Sequence, residues 1–296
     1  MHSRIGAHMP FSADSAKPGV FPSGRKCSVL AIAALGAFSL LACSSGKKLT
    51  QEQSCQEKWD KAKPKFDKKK YVQAKELLSE LVTSCPGSPF TEEALFDLGE
   101  THYGLKEWEE AEQEYASFLK EFPSSKKYGE LAGYRSAEVA AKQVETPSRD
   151  QTKTLDAIAA YENFLDEYPD GPRADSAKAE VDKLRDLLVE KQMMIAKLYR
   201  RMGEPQAAAI YYKNLLKEFG GRVNQRDINL RLALCYIEMG QFDEADSYLG
   251  KFDGIAKDDP FKEKVKDAYR DLEKARIKLA RQKKDEQEQG KRQEAM

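Results

Sequence analysis

The chain has 296 residues, a third of them charged, with 49 basic and 49 acidic side chains and a mean hydropathy of −0.69. This balance carries no basic footprint for nucleic acid, and so much charge of mixed sign fits a chain with many solvated helix faces. Only three histidines and five cysteines are present, which leaves little material for a catalytic or metal-binding cluster.

The first recognisable element is a leader. Arg25 and Lys26 precede an apolar run from Val29 to Leu41, which ends in Leu40-Leu41-Ala42-Cys43 followed by Ser44-Ser45-Gly46. A positive start, a short apolar stretch and a small residue before the cut are the parts of a secretory signal, and the run is too short for a spanning helix. Cys in the first position after the cut makes it a bacterial lipoprotein signal, so residues 1–42 are expected to be removed. Cys43 is expected to carry N-acyl and S-diacylglycerol chains, whose buried methylenes contribute roughly 0.8 kcal/mol each to membrane binding. Ser44, rather than an acid, points to the outer membrane. Losing Arg4, Lys17, Arg25 and Lys26 against Asp14 leaves a mature part with a small negative net charge. Residues 43–51 read as a lipidated linker.

From residue 52 the chain repeats a phrase. Ala74, Leu78, Leu81 and Pro86 return as Ala111, Tyr115, Phe118 and Pro123, and again as Ala157, Tyr161, Phe164 and Pro169. The first interval is 37 residues, close to the period of tetratricopeptide (TPR) helical hairpins. Ala208, Tyr212 and Leu215, then Ala245, Leu249 and Phe252, continue the register. Upstream, Leu95, Leu98 and Gly99 supply the first helix of a pair, as do Ala196 and Tyr199, and Ala233 and Tyr236. The expected fold is therefore all-α: a right-handed superhelical solenoid of about five TPR hairpins, with repeats 1–2 in residues 52–125 and repeats 3–5 in 126–257. The two longer intervals place inserted segments in the third and fourth repeats. Residues 258–280, with Val265, Ala268, Tyr269, Leu272, Ala275 and Leu279 at helical spacing, are expected to cap the array. Residues 281–296, rich in Lys, Glu and Gln without apolar periodicity, read as a disordered or frayed helical tail.

Cys55 and Cys85 lie equidistant from a turn near Lys70, so an antiparallel hairpin brings them together, and a disulfide closing the first repeat is expected. Cys235 sits in an apolar stretch and reads as core. No Walker loop, Gly-x-Ser-x-Gly elbow or His-Glu-x-x-His motif is present. His102 falls on a repeat-core helix, and the paired acids read as solvated faces. The expectation is a binding protein without catalytic residues, cofactor or metal.

In helical-hairpin solenoids the first helix of each pair lines the inner surface. Trp59, Phe66, Phe96 and Tyr103 occupy flanking positions there and are candidates for a peptide-binding groove, with packing in the core as the alternative reading. The corresponding positions of the fourth repeat hold Lys197, Arg200 and Arg201, which suit an acidic partner surface or a solvated face.

Arg149-Asp150-Gln151-Thr152, followed by Ala157, Tyr161, Phe164 and Tyr168-Pro169-Asp170, and then Leu184-Arg185-Asp186, Ala196, Tyr199 and Ala207-Ala208, resembles the BamD family. These are TPR lipoproteins of the outer-membrane β-barrel assembly machinery. The resemblance implies a periplasmic scaffold on the outer membrane that docks on a BamA-type barrel protein beside other lipoproteins of the machinery and handles unfolded barrel substrates. It implies substrate contact in the amino-terminal repeats and the BamA side in the carboxyl-terminal ones. Where the family commonly carries Arg in the fourth repeat this chain has Tyr211, with Lys213 and Arg200 as the nearby bases. A periplasmic TPR adaptor of Tol-Pal or peptidoglycan machinery is the alternative, disfavoured by the lipid-anchor signal and by the lack of amino-terminal heptads.

Overall fold

The computed structural model describes residues 50–294; the leader and Cys43 lie outside them. The described residues form eleven α-helices, one short 3-10 turn and no strand. Five hairpins follow in order: α1 (Gln51–Asp67) with α2 (Tyr71–Ser84), α3 (Thr91–Leu105) with α4 (Trp108–Glu121), α5 (Gly129–Lys142) with α6 (Thr152–Glu167), α7 (Ala174–Arg201) with α8 (Pro205–Phe219), and α9 (Gln225–Met239) with α10 (Phe242–Leu249). Each helix packs on the next, so the array is built from neighbour contacts. A last helix, α11 (Lys262–Glu294), lies against α9 and α10.

Local chemistry sets the helix ends. Thr50 opens α1 through a reciprocal capping box with Gln53, and the Asn224 side chain accepts from the Asp227 amide at the start of α9. Within hairpins, the turn after the first helix contains a residue in the left-handed region: Lys69 (φ 53°), Lys106 (φ 62°), Gly203 (φ 80°) and Gly240 (φ 72°) in the first, second, fourth and fifth. Pro86, Pro123 and Pro169 each stand two residues past the ends of α2, α4 and α6, where the chain cannot continue the helix.

The repeated phrase is the core. Ala74, Ala111, Ala157, Ala208 and Ala245 are all fully buried, and they let the second helix of each pair approach its partner closely. One turn on, Leu78, Tyr115, Tyr161, Tyr212 and Leu249 are at most 1% exposed. Leu81, Phe118, Phe164, Leu215 and Phe252 complete the same stripe. Facing it from the first helices are small residues, and at Gly99 a Cβ would sit 2.8 Å from the Tyr115 ring, so the glycine there answers a close approach.

The inserted segments take two forms. In the third hairpin the extra residues form the loop between α5 and α6, and in the fourth they lengthen the first helix, so that α7 spans 28 residues. The first hairpin is closed by a Cys55–Cys85 disulfide with a Cα–Cα distance of 5.9 Å. Cys235 is a buried free thiol, pushed up to about 11 by burial. The charged tail is helical, one of the two forms expected of it. α11 continues through it to Glu294, because Lys, Glu, Gln and Arg are good helix formers and Lys284 pairs with Glu288 one turn on. Its side chains beyond Arg281 are almost all exposed, so this part stands away from the core.

Candidate functional site

The four aromatic candidates of the first two hairpins do not form one open groove. Phe96 is 5% exposed and belongs to the core. It stacks on Tyr128 with ring centroids 4.5 Å apart and meets Phe118 edge-on. The reason is placement: α3 is enclosed by α2 and α4, and Tyr128 at the entry to α5 covers Phe96, so consecutive residues Leu95, Phe96 and Asp97 are all buried. Trp59 and Phe66 are half-buried on α1, Trp59 stacked on Phe90 and both rings under the Lys63 ammonium at 5.5 and 4.9 Å. Tyr103 is half-buried, edge-on to Trp108, with the Arg135 guanidinium 4.6 Å from its ring. Burial and the Glu138 carboxylate push its hydroxyl up to about 12.

Charge pairs link the first helices of successive hairpins. Lys63 of α1 reaches Asp97 (2.8 Å) and Glu93 (2.9 Å) of α3, Arg135 of α5 reaches Glu100 of α3 (2.7 Å), and Arg173 at the start of α7 pairs with Glu130 of α5. Asp97 is 4% exposed at its side chain, and burial pushes its carboxyl up to about 6 against the opposing pull of Lys63. His102, also largely buried, lies 2.7 Å from Glu107 and has a structural place between α3 and α4.

The basic candidates converge further along. One face of α7 presents Lys191, Met194, Ile195, Leu198 and Arg201 at helical spacing. With Lys197, Arg200, Tyr212, Arg231 and Glu238 they line a cavity of about 870 Å³ between the first helices of the fourth and fifth hairpins. Five basic groups thus face a single acid. Arg200 is engaged by Glu238 at 3.0 Å and Arg231 by Asp227 at 2.7 Å. Among the described residues Lys197 and Arg201 have no ion-pair partner. Leu198 is 47% and Met194 42% exposed, apolar surface that such a cavity would cover with a ligand. The Tyr212 hydroxyl is buried without a hydrogen-bond partner, and burial pushes it up in opposition to the nearby Arg231.

The inserted loop of the third hairpin forms the cavity's border. Lys191 donates to the backbone carbonyls of Ser148 (3.2 Å) and Arg149 (2.8 Å), and the Gln151 side chain donates to the carbonyls of Thr146 and Arg149. Asp150 accepts from the Thr152 amide at the start of α6. The loop is thereby pinned onto α7, and beyond Lys191 a second cavity of about 620 Å³ opens, lined by Leu155, Leu188, Gln192, Glu218 and Phe219 among others.

Tyr211 and Lys213 lie apart from this lining. Tyr211 stacks on Tyr199 at 5.6 Å and the Lys213 ammonium sits 5.3 Å from the Tyr236 ring. The sequence reading missed Tyr212 and Arg231 as lining residues because both also serve the packing between hairpins. The exposed Met194 and Leu198, one turn apart on α7, were the available signal.

An uninterrupted stack of helical hairpins with charged inner helices and an amphiphilic cavity at α7 and α9 defines a TPR binding scaffold. Among the described residues no cluster of His, Cys, Asp and Glu could hold a metal, and no helix is long and apolar enough to cross a membrane. Residues 51–249 match the family model YfiO, described as outer membrane lipoprotein, and the chain belongs to that family. It is 25% identical over 204 residues to the outer membrane protein assembly factor BamD of Haemophilus influenzae, covering 66% of this chain and 78% of the relative. It is likewise 25% identical over 181 residues to BamD of Caulobacter vibrioides, covering 61% and 59%. To BamD of Rickettsia prowazekii it is 24% identical over 183 residues, covering 62% and 72%.

Proposed function

We propose that this chain is an assembly factor for outer-membrane β-barrel proteins: a lipoprotein held by acyl chains on Cys43 at the periplasmic face of the outer membrane. It docks on a BamA-type barrel protein beside other lipoproteins of that machinery, and it presents its TPR array to unfolded barrel substrates. The observation that carries this reading is the family match over 51–249, which takes in all five hairpins through the end of α10. The cationic, partly apolar lining at α7 and α9, including Lys197, Arg200 and Arg201, supports a partner-binding role for the carboxyl-terminal repeats. Tyr211 and Lys213 on α8 form a separate contact candidate. On the amino-terminal hairpins Trp59, Phe66 and Tyr103 remain half-exposed and are the side chains available to a substrate peptide. Phe96 acts from the core.

Depletion tests the reading. Loss of the chain should lower the amounts of folded barrel proteins in the outer membrane while periplasmic soluble proteins persist. Unchanged barrel levels after complete depletion would refute it.

A further inference from the structure

The cavity at α7 and α9 has a specific chemistry that its place on a scaffold does not explain. Its apolar floor of Met194, Ile195 and Leu198 is rimmed by Lys197 and Arg201, two cations without ion-pair partners among the described residues. A fully buried phenol, Tyr212, contributes a hydroxyl that lies beside the Arg231 guanidinium and has no acceptor for its own proton. A hydroxyl proton left unpaired in a protein interior is destabilising, and an acceptor entering the cavity would satisfy it. The neighbouring cavity shares Ser148 and Lys191 with the first and contributes the opposite need: Gln192 Oε1 is buried without a donor. The two unpartnered atoms therefore ask for an acceptor in one cavity and a donor in the next.

We propose that the two cavities form one track for an extended acidic segment of a partner polypeptide. An apolar side chain rests on Met194 and Leu198, a carboxylate lies against Lys197 and Arg201, and a carbonyl or carboxylate oxygen accepts from Tyr212. A backbone N–H of the same segment donates to Gln192. A polypeptide supplies carbonyl acceptors and N–H donors at short intervals along its length, whereas inorganic phosphate offers no N–H to Gln192. Across the two cavities six bases face three acids, and with Lys197 and Arg201 unpaired among the described residues this excess sets the sign of the ligand's charge. The inference rests on the scaffold reading above and names what this part of the scaffold binds.

The test uses the full-length chain in mild detergent and a fluorescein-labelled dodecapeptide of alternating Glu and Leu, with its Lys-Leu counterpart as control, followed by fluorescence anisotropy. The Glu-Leu peptide should bind at least tenfold more tightly than the Lys-Leu peptide. The paired charge reversal Lys197→Glu, Arg201→Glu, at exposed positions, should weaken binding at least tenfold. Tyr212→Phe, which keeps the ring and removes only the hydroxyl, should weaken it about fivefold without lowering the melting temperature. Lys120→Ala, exposed on α4 and outside both cavities, should leave it unchanged. Equal binding of the two peptides, or indifference to Tyr212→Phe together with the charge reversal, overturns the proposal. So does displacement of the Glu-Leu peptide by phosphatidylglycerol vesicles that themselves lose binding in the charge-reversed chain, which would assign the surface to lipid. In the same preparations, retention of a BamA-type barrel protein is scored separately. A charge-reversed chain that loses the peptide but keeps the barrel protein supports the track, and a wild-type chain that binds the peptide but retains no barrel protein refutes the scaffold reading alone.

Discussion

Reducing the Cys55–Cys85 disulfide should weaken one end of the array and leave the other intact. The bond joins residues 30 apart in sequence, both 2% exposed, across the first hairpin. Closing a loop of that length removes unfolded-chain entropy worth about 3–4 kcal/mol at 25 °C on the chain-entropy relation. The m-value of a transition confined to α1 and α2 is at the low end, about 1 kcal/mol/M, because it scales with the surface exposed, so that loss moves its urea midpoint down by about 3 M. In a stack held by neighbour contacts the loss remains local to the first hairpin and its junction with α3. The assay is urea denaturation of residues 44–296 before and after reduction, combined with amide hydrogen exchange. The oxidised, denatured protein should titrate one thiol, Cys235, and the reduced protein three. Exchange protection should fall in α1 and α2 and stay unchanged in α7 to α10. A midpoint shift below about 0.2 M, or deprotection centred on α7 to α10, would refute the reasoning.

Other outcomes follow from the same packing. Phe118 is fully buried among Phe96, Phe122 and Tyr128, so Phe118→Ala should cost about 3–5 kcal/mol in urea denaturation, while the half-buried Phe66→Ala should cost distinctly less; equal losses would contradict the assigned core. Lys106 occupies a left-handed turn position at φ 62°, where Gly240 serves the fifth hairpin, so Lys106→Gly should stabilise by about 0.5–1 kcal/mol, read as a rise in melting temperature. Asp97 is pushed up to about 6 by burial, above an unfolded aspartate near about 3.9, so the folded state binds more protons between those values. The stability this carboxyl contributes is complete below about pH 4 and is lost as pH rises through about 6. The stability of the natural chain relative to Asp97→Asn should therefore fall across that window and level off above it. A difference that instead grows with pH would show that the Lys63 pair outweighs burial.

The register Ala, Leu or Tyr, Leu or Phe, Pro made the hairpins legible because each position answers a local demand: a close crossing, two core layers and a helix stop. The same locality placed Cys55 opposite Cys85, since both lie in one hairpin. Facing was harder to read. Whether Phe96 points to solvent or core depends on how α3 is enclosed by α2, α4 and Tyr128 of the next repeat, and that follows from stacking between repeats rather than from the period. The cavity lies further still from sequence. It needs Lys191 of α7 to pin the carbonyls of Ser148 and Arg149, more than forty residues earlier, and Arg231 of the next hairpin to close the far side. Arg200 and Lys197 were visible as bases, but their convergence with Tyr212 was a property of the packed array.

The most direct test of the central claim is affinity purification of the full-length chain from detergent-solubilised membranes, with mass spectrometry of the retained proteins. The account predicts a BamA-type outer-membrane barrel protein in near-stoichiometric amount. Recovery of Tol-Pal or cell-wall proteins in its place, with no barrel assembly protein, would contradict it.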